Sequence, residues 1–179
     1  MKKHTFRRTS KGFTLIELGI VLALIGIGLF YVISKLGETS DASKAQNLVS
    51  DLSGSITNTK RLYVTQQSYS GVAIATLRDN AVFPTSWNVG GTITGPFTGA
   101  ITVAAATLST ANDAATITVP NIPSRVCTEV ARMMSDGVNV MAVGGTTVKA
   151  NNATLNVAVL GTQCAAATSV PMAFTFGRM

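Results

Sequence analysis

The chain is expected to be an α+β protein: a long N-terminal helix packed on an antiparallel β-sheet head, with a disulfide-linked C-terminal region. Three observations predict this. No proline occurs before Pro84, and apolar residues run first continuously and then at helical spacing from Phe13 to about Tyr63. Beyond Gly71 the chain becomes rich in threonine, alanine, glycine and asparagine, with two Gly-Gly pairs set between β-prone stretches. Two cysteines, Cys127 and Cys164, lie in the second half of a chain that starts with an export-like segment, and they read more naturally as one disulfide than as two reduced core thiols.

The N-terminal element begins with a basic leader. Lys2, Lys3, Arg7, Arg8 and Lys11 all precede Phe13, and they account for nearly all of the net charge of +6. The rest of the chain is close to neutral, so the body has no electrostatic footprint for nucleic acid, and no nucleic-acid partner is expected. The single histidine, His4, also lies in the leader. The body therefore has no imidazole for Ser-His-Asp or Cys-His catalysis or for a metal site. A serine or threonine nucleophile with Lys149 as base is the remaining enzymatic arrangement, and nothing in the sequence positions it. The expectation is a non-enzyme without cofactor or metal.

From Phe13 to Ile33 the chain carries Glu17 as its only charge. As a helix this stretch would be about 30 Å long, the thickness of a bilayer's hydrocarbon core. The positive-inside rule places the leader in the cytoplasm and the remainder beyond the inner membrane. A cleaved signal peptide has a shorter apolar core that ends at small residues, whereas the nearest such site here, Ser40-Asp41-Ala42, lies well past the run. A plain membrane anchor has no use for Glu17, because an acid at helix-centre depth costs about 2.5 to 3.5 kcal/mol.

After Ile33 the helix is predicted to continue in amphipathic form, with Ala45, Leu48, Val49, Leu52, Ile56 and Tyr63 at three- and four-residue steps. Gly19, Gly26, Gly28 and Gly37 weaken its first half. In the head, Trp87–Thr94 and Val138–Lys149 read as hairpins turning at Gly90-Gly91 and Gly144-Gly145. Ala100–Ala106, Thr116–Val119, Thr154–Leu160 and Met172–Phe176 are further strand candidates. One helix is expected from Ser124 to about Met134, opened by Pro123 and closed by Asp136-Gly137. Its apolar stripe is Val126, Cys127, Val130, Met133 and Met134, which puts Cys127 on a buried face within reach of a C-terminal segment through Cys164. Asn152-Ala153-Thr154 fits a glycosylation acceptor pattern that chance also produces.

Gly12 followed by Phe13-Thr14-Leu15-Ile16-Glu17, after a short basic leader and before an uninterrupted apolar helix, resembles the prepilin motif of type IV pilins. In the body, Lys44-Ala45-Gln46-Asn47-Leu48, Pro96-Phe97-Thr98-Gly99 and Ile117-Thr118-Val119 leading to Cys127 are similar to type IVb pilins of the toxin-coregulated and conjugative thin-pilus kind. So is Cys164 followed by Pro171 and Ala173-Phe174-Thr175-Phe176-Gly177.

The resemblance implies the type IV pilin fold and the function of a major pilin. Prepilin peptidase would cut between Gly12 and Phe13, Phe13 would be N-methylated, and Glu17 would guide subunit docking. The subunit would pass from the inner membrane into an extracellular filament by self-assembly, with an assembly platform and ATPase as further partners. Two readings stand for the helix glycines: loss of helicity inside a filament, centred on Gly26 and Gly28, or close helix packing through small residues such as Gly19 and Ala23. On this reading residues 1–12 are leader, 13–33 the transmembrane and filament-core helix, 34–63 its amphipathic continuation and 64–179 the head. The alternative is a minor pilin or a type II secretion pseudopilin. The major pseudopilin's calcium site needs clustered oxygen ligands, whereas Asp113, Glu129 and Asp136 are scattered.

Overall fold

The computed structural model describes residues 15–177. The chain divides at Ser40/Asp41 into two compact units, each described here by itself. Helix α1 spans Leu15–Leu62. Its part in the first unit is helical throughout the described residues, without a break at Gly19, Gly26 or Gly28.

The second unit has its own core. The α1 side chains Ala45, Leu48, Leu52 and Ile56 are all buried, as is Tyr63 just past the helix end, so the predicted stripe holds, with Val49 half-buried at its margin. Two hydroxyls share this face, Ser55 and Thr59, and each donates to a carbonyl one turn back, Asp51 O at 2.8 Å and Ser55 O at 2.7 Å. The i−4 bonds let polar groups enter the core with their hydrogen-bonding needs met.

After α1 come a short helix α2 (Ile74–Asp79) and a single 3-10 turn (Thr85–Trp87), neither of which stands out in the sequence. The hairpin β1 (Asn88–Val89) and β2 (Thr92–Ile93) turns at Gly90 and Gly91, whose φ angles of 58° and 84° suit a two-residue turn. Arg78 of α2 secures it, donating from Nη1 to the Gly91 carbonyl at 2.6 Å.

The main sheet is built from β3 (Thr102–Ala106), β4 (Ala114–Pro123), β5 (Val140–Val143), β6 (Thr146–Lys149) and β7 (Ser169–Gly177), in the order β3-β4-β7-β5-β6. All its pairings are antiparallel. Alternation sets the buried face: Ala115, Ile117 and Val119 of β4 lie opposite Phe176, Phe174 and Met172 of β7, which meet Met141 and Val143 of β5 on the far side. The β4–β7 ladder shifts register between Val119 and Ile122, around Pro120, which has no N–H to give, and Asn121 at φ 58°. Gly99, at φ 91°, lies against this bulge: a Cβ there would be 2.8 Å from Pro120 Cγ. Tyr69 links the end of α1 to the sheet, with its ring 5.3 Å from Tyr63 and edge-on to Phe176 at 6.0 Å.

Two expectations need correction. The strand predicted at Thr154–Leu160 is instead the start of a helix, α4 (Val157–Ala165). Asn156 caps it by accepting from Val159 N at 3.2 Å, and Leu160 and Cys164, four apart, form its buried face. The alternating pattern of Thr154–Leu160 mimics a strand, but the cap at Asn156 and the exposure of Thr162 between buried Leu160 and Cys164 are those of a helix. The helix α3 (Ser124–Met134) has the predicted bounds, yet Met133 is 40% exposed and Ala131 takes the buried position beside Met134.

Candidate functional site

The proposed processing residues Gly12 and Phe13 lie outside the described residues. Glu17 is described: it stands in the first turn of α1, where the helix dipole favours a carboxylate. Around it the first unit presents apolar side chains on every face. Leu15, Ile16, Leu18, Ile20, Val21, Leu22, Leu24, Ile25, Ile27, Leu29 and Phe30 are between 45% and 90% exposed. A helix that is apolar all round needs lipid or other helices to cover it.

Among the described residues no helix is long and apolar enough to cross a membrane. The predicted span Phe13–Ile33 starts outside those residues. Its part with described side chains, 15–31, is 17 residues, about 25 Å of helix against about 30 Å of hydrocarbon.

In the second unit the sequence-predicted cysteines are brought together. Cys127 of α3 and Cys164 of α4 are bonded, with Cα atoms 5.7 Å apart, and both are buried. The bond ties two helices that pack on one another but share no backbone hydrogen-bond ladder. Lys149 is not placed as a base. Its ammonium donates to the carbonyls of Ser135 and Val138, closing the turn between α3 and β5.

Two features escaped the sequence reading. Arg125 on α3 pairs with Asp41 on α1, whose carboxylate is nearly buried. Asp113 organises the loop between β3 and β4. Its carboxylate accepts from the backbone N–H groups of Leu108, Thr110 and Ser109 at 2.7 to 2.9 Å and from Ser109 Oγ at 2.7 Å. The bonds from Leu108, Thr110 and the Ser109 hydroxyl, in that order, hold its carboxyl well below the usual carboxylate range. The signal for this loop was present, since Asp113 is the only charge between Asn80 and Ser124. Among the described residues, no three His, Cys, Asp or Glu groups come together as a metal site. The second unit is a braced head, and the described part of the first is an apolar helix exposed on every face.

Residues 42–176 match the family described as PilS N terminal, and residues 7–33 match the prokaryotic N-terminal methylation motif. Over 107 residues, 59% of this chain, the sequence is 32% identical to the major structural subunit of bundle-forming pilus from Escherichia coli O127:H6 (strain E2348/69 / EPEC). The same figures hold for the subunit from Escherichia coli O111:H-. The chain spans about half, 55%, of the length of these curated relatives.

Among solved structures, a type IV b pilin from Salmonella typhi superposes with a TM-score of 0.57 at 17% identity, covering 74% of this chain and 99% of that one. TcpA, a type IV pilin from Vibrio cholerae El Tor biotype, superposes with a TM-score of 0.53 at 16% identity, covering 78% and 98%. At such identities the likeness establishes the fold. With the family match running over most of its length and the methylation motif ahead of it, the chain belongs to the PilS N-terminal family and is built on the type IV pilin fold.

Proposed function

We propose that this chain is the major structural subunit of a type IV pilus. The observation that carries the reading is the exposed, all-round apolar helix of the first unit, which lies within the match to the methylation motif and is followed by a unit with a core of its own. A helix so uncovered is stable in lipid before assembly and among identical helices after it. The precursor sits in the inner membrane with residues 1–12 in the cytoplasm. Prepilin peptidase cuts between Gly12 and Phe13, and the new amine of Phe13 is methylated. An assembly platform and ATPase then bring subunits together into an extracellular filament, with 13–33 as its core helix, 34–63 as the amphipathic continuation and 64–179 as the head. In that apolar core a carboxylate needs a partner, and the Phe13 ammonium of a neighbouring subunit supplies one to Glu17. The bundle-forming pilus relatives support the reading, as does the likeness to type IV pilins.

Mass spectrometry of filaments sheared from cells tests it. The expected subunit begins at methylated Phe13. A mature N-terminus near Ser43, or recovery only as full-length membrane protein, would overturn the proposal.

A further inference from the structure

The two edges of the five-stranded sheet are finished differently. On the β6 side the chain folds back on the strand. Asn156 N donates to the Val148 carbonyl at 2.8 Å, Lys149 is drawn in by its two carbonyls, and α4 packs beside it. On the other side, β3 bonds through its backbone to β4 alone among the described residues. α2 packs near one face of it, where Ile74 and Val103 are half-buried, but Thr102, Ala104 and Ala105 are exposed.

Protein sheets ordinarily blunt a free edge with charge, proline, a bulge or a covering segment. Thr102–Ala106 carries no charge or proline, and its pairing with β4 runs without a register shift. The nearest charge within 80–124, Asp113, is turned into its own loop.

We propose that this edge is a self-association surface, on which β3 of one copy pairs antiparallel with β3 of a second copy. The strand is complementary to itself. About a two-fold axis through Ala104, that residue faces its own counterpart, Val103 faces Ala105, and Thr102 faces Ala106. No like charges and no two bulky side chains oppose one another. Two strands of this length bury much less than the roughly 1,000 Å² that a lasting interface needs, so the pairing holds only where many edges are presented together.

This inference rests on the filament reading, and that reading locates the second copy. Subunits of one filament are related by head-to-tail contacts that all run the same way, and a two-fold contact does not occur among them. The β3 edge therefore joins subunits of separate filaments side by side.

The test uses filaments sheared from cells. In electron micrographs, wild-type filaments are expected to associate laterally. Ala104→Lys should abolish that association at unchanged filament yield. Oxidised Ala104→Cys filaments should yield disulfide-linked dimers, because opposed Cβ atoms of an antiparallel pair lie about 4.5 to 5.5 Å apart and need only a small approach to bond. Ser109→Cys, exposed outside the strand, should yield none. The proposal is overturned if wild-type filaments stay single, if Ala104→Lys filaments associate like wild type, or if Ala104→Cys gives no dimers. Failure of the wild-type chain to form filaments would instead overturn the filament reading itself.

Discussion

Removing the Cys127–Cys164 bond by the double substitution Cys127→Ala and Cys164→Ala is expected to destabilise the second unit by about 4 kcal/mol. The magnitude follows from the loop that the bond closes. The cysteines are 37 residues apart, and a loop of that length restricts the unfolded chain by about 13 cal/mol/K, about 4 kcal/mol at 25 °C. Both cysteines are buried, so alanine leaves little new polar surface to offset the loss. For a unit of this size, a change of that magnitude lowers Tm by about 10 to 15 °C.

Trp87, the only tryptophan, is buried in the core well outside the loop, so its fluorescence follows the unit as a whole in detergent-solubilised full chain. Wild type reduced by a thiol should match the double variant. A loss below about 1 kcal/mol would refute the reasoning that the bond restrains the unfolded chain. An unchanged Trp87 transition with early loss of α3 and α4 would show that the C-terminal region unfolds by itself.

Three further outcomes are expected. On the proposed filament reading, Glu17→Ala would leave an apolar-core ammonium without its carboxylate, at a cost of about 3 to 5 kcal/mol per subunit, so filament yield should fall more than about a hundredfold while the proposed cleavage after Gly12 continues; quantitative blots of sheared and cell-bound fractions measure both. Asp113 titrates in the folded state below its unfolded value near 3.9, so its contribution is complete above about pH 5 and disappears as the pH falls toward the folded value. The wild-type urea midpoint should therefore drop more steeply than that of Asp113→Asn between about pH 5 and pH 2, and parallel curves would remove Asp113 from this role. Gly99→Ala forces a side chain into a positive-φ position and within 2.8 Å of Pro120 Cγ, and should destabilise the unit by about 1 to 3 kcal/mol in the same fluorescence assay.

Helix α3 shows how far local signals reach. Pro123 at its start, Asp136-Gly137 beyond its end and the spacing of Val126, Cys127 and Val130 together predict Ser124–Met134, the range observed. The same spacing put Met133 in the stripe, whereas Ala131, four residues after Cys127, takes the buried position and Met133 is 40% exposed. The segment at Thr154–Leu160 shows the opposite case. Its period-two pattern and its cap at Asn156 point to different structures, and the burial of Leu160 and Cys164 with Thr162 exposed between them is the pattern of a helix and not of a strand.

The sequence by itself determined the long helix, the two Gly-Gly hairpins, the stripe from Ala45 to Tyr63 and the prepilin-like motif. Each rests on interactions within a few residues: helical periodicity, turns that need positive φ, or a contiguous run of side chains. Only the tertiary structure decided that β7 lies between β4 and β5, that among the described residues the β6 edge is closed and the β3 edge open, that Asp41 meets Arg125, and that Lys149 anchors the turn after α3. Those choices depend on which distant segments bury one another, and the apolar strands of this head are alike enough in composition that several orders satisfy their local patterns. The order observed is the one that stacks Ile117, Phe174 and Met141 across neighbouring strands on one buried face.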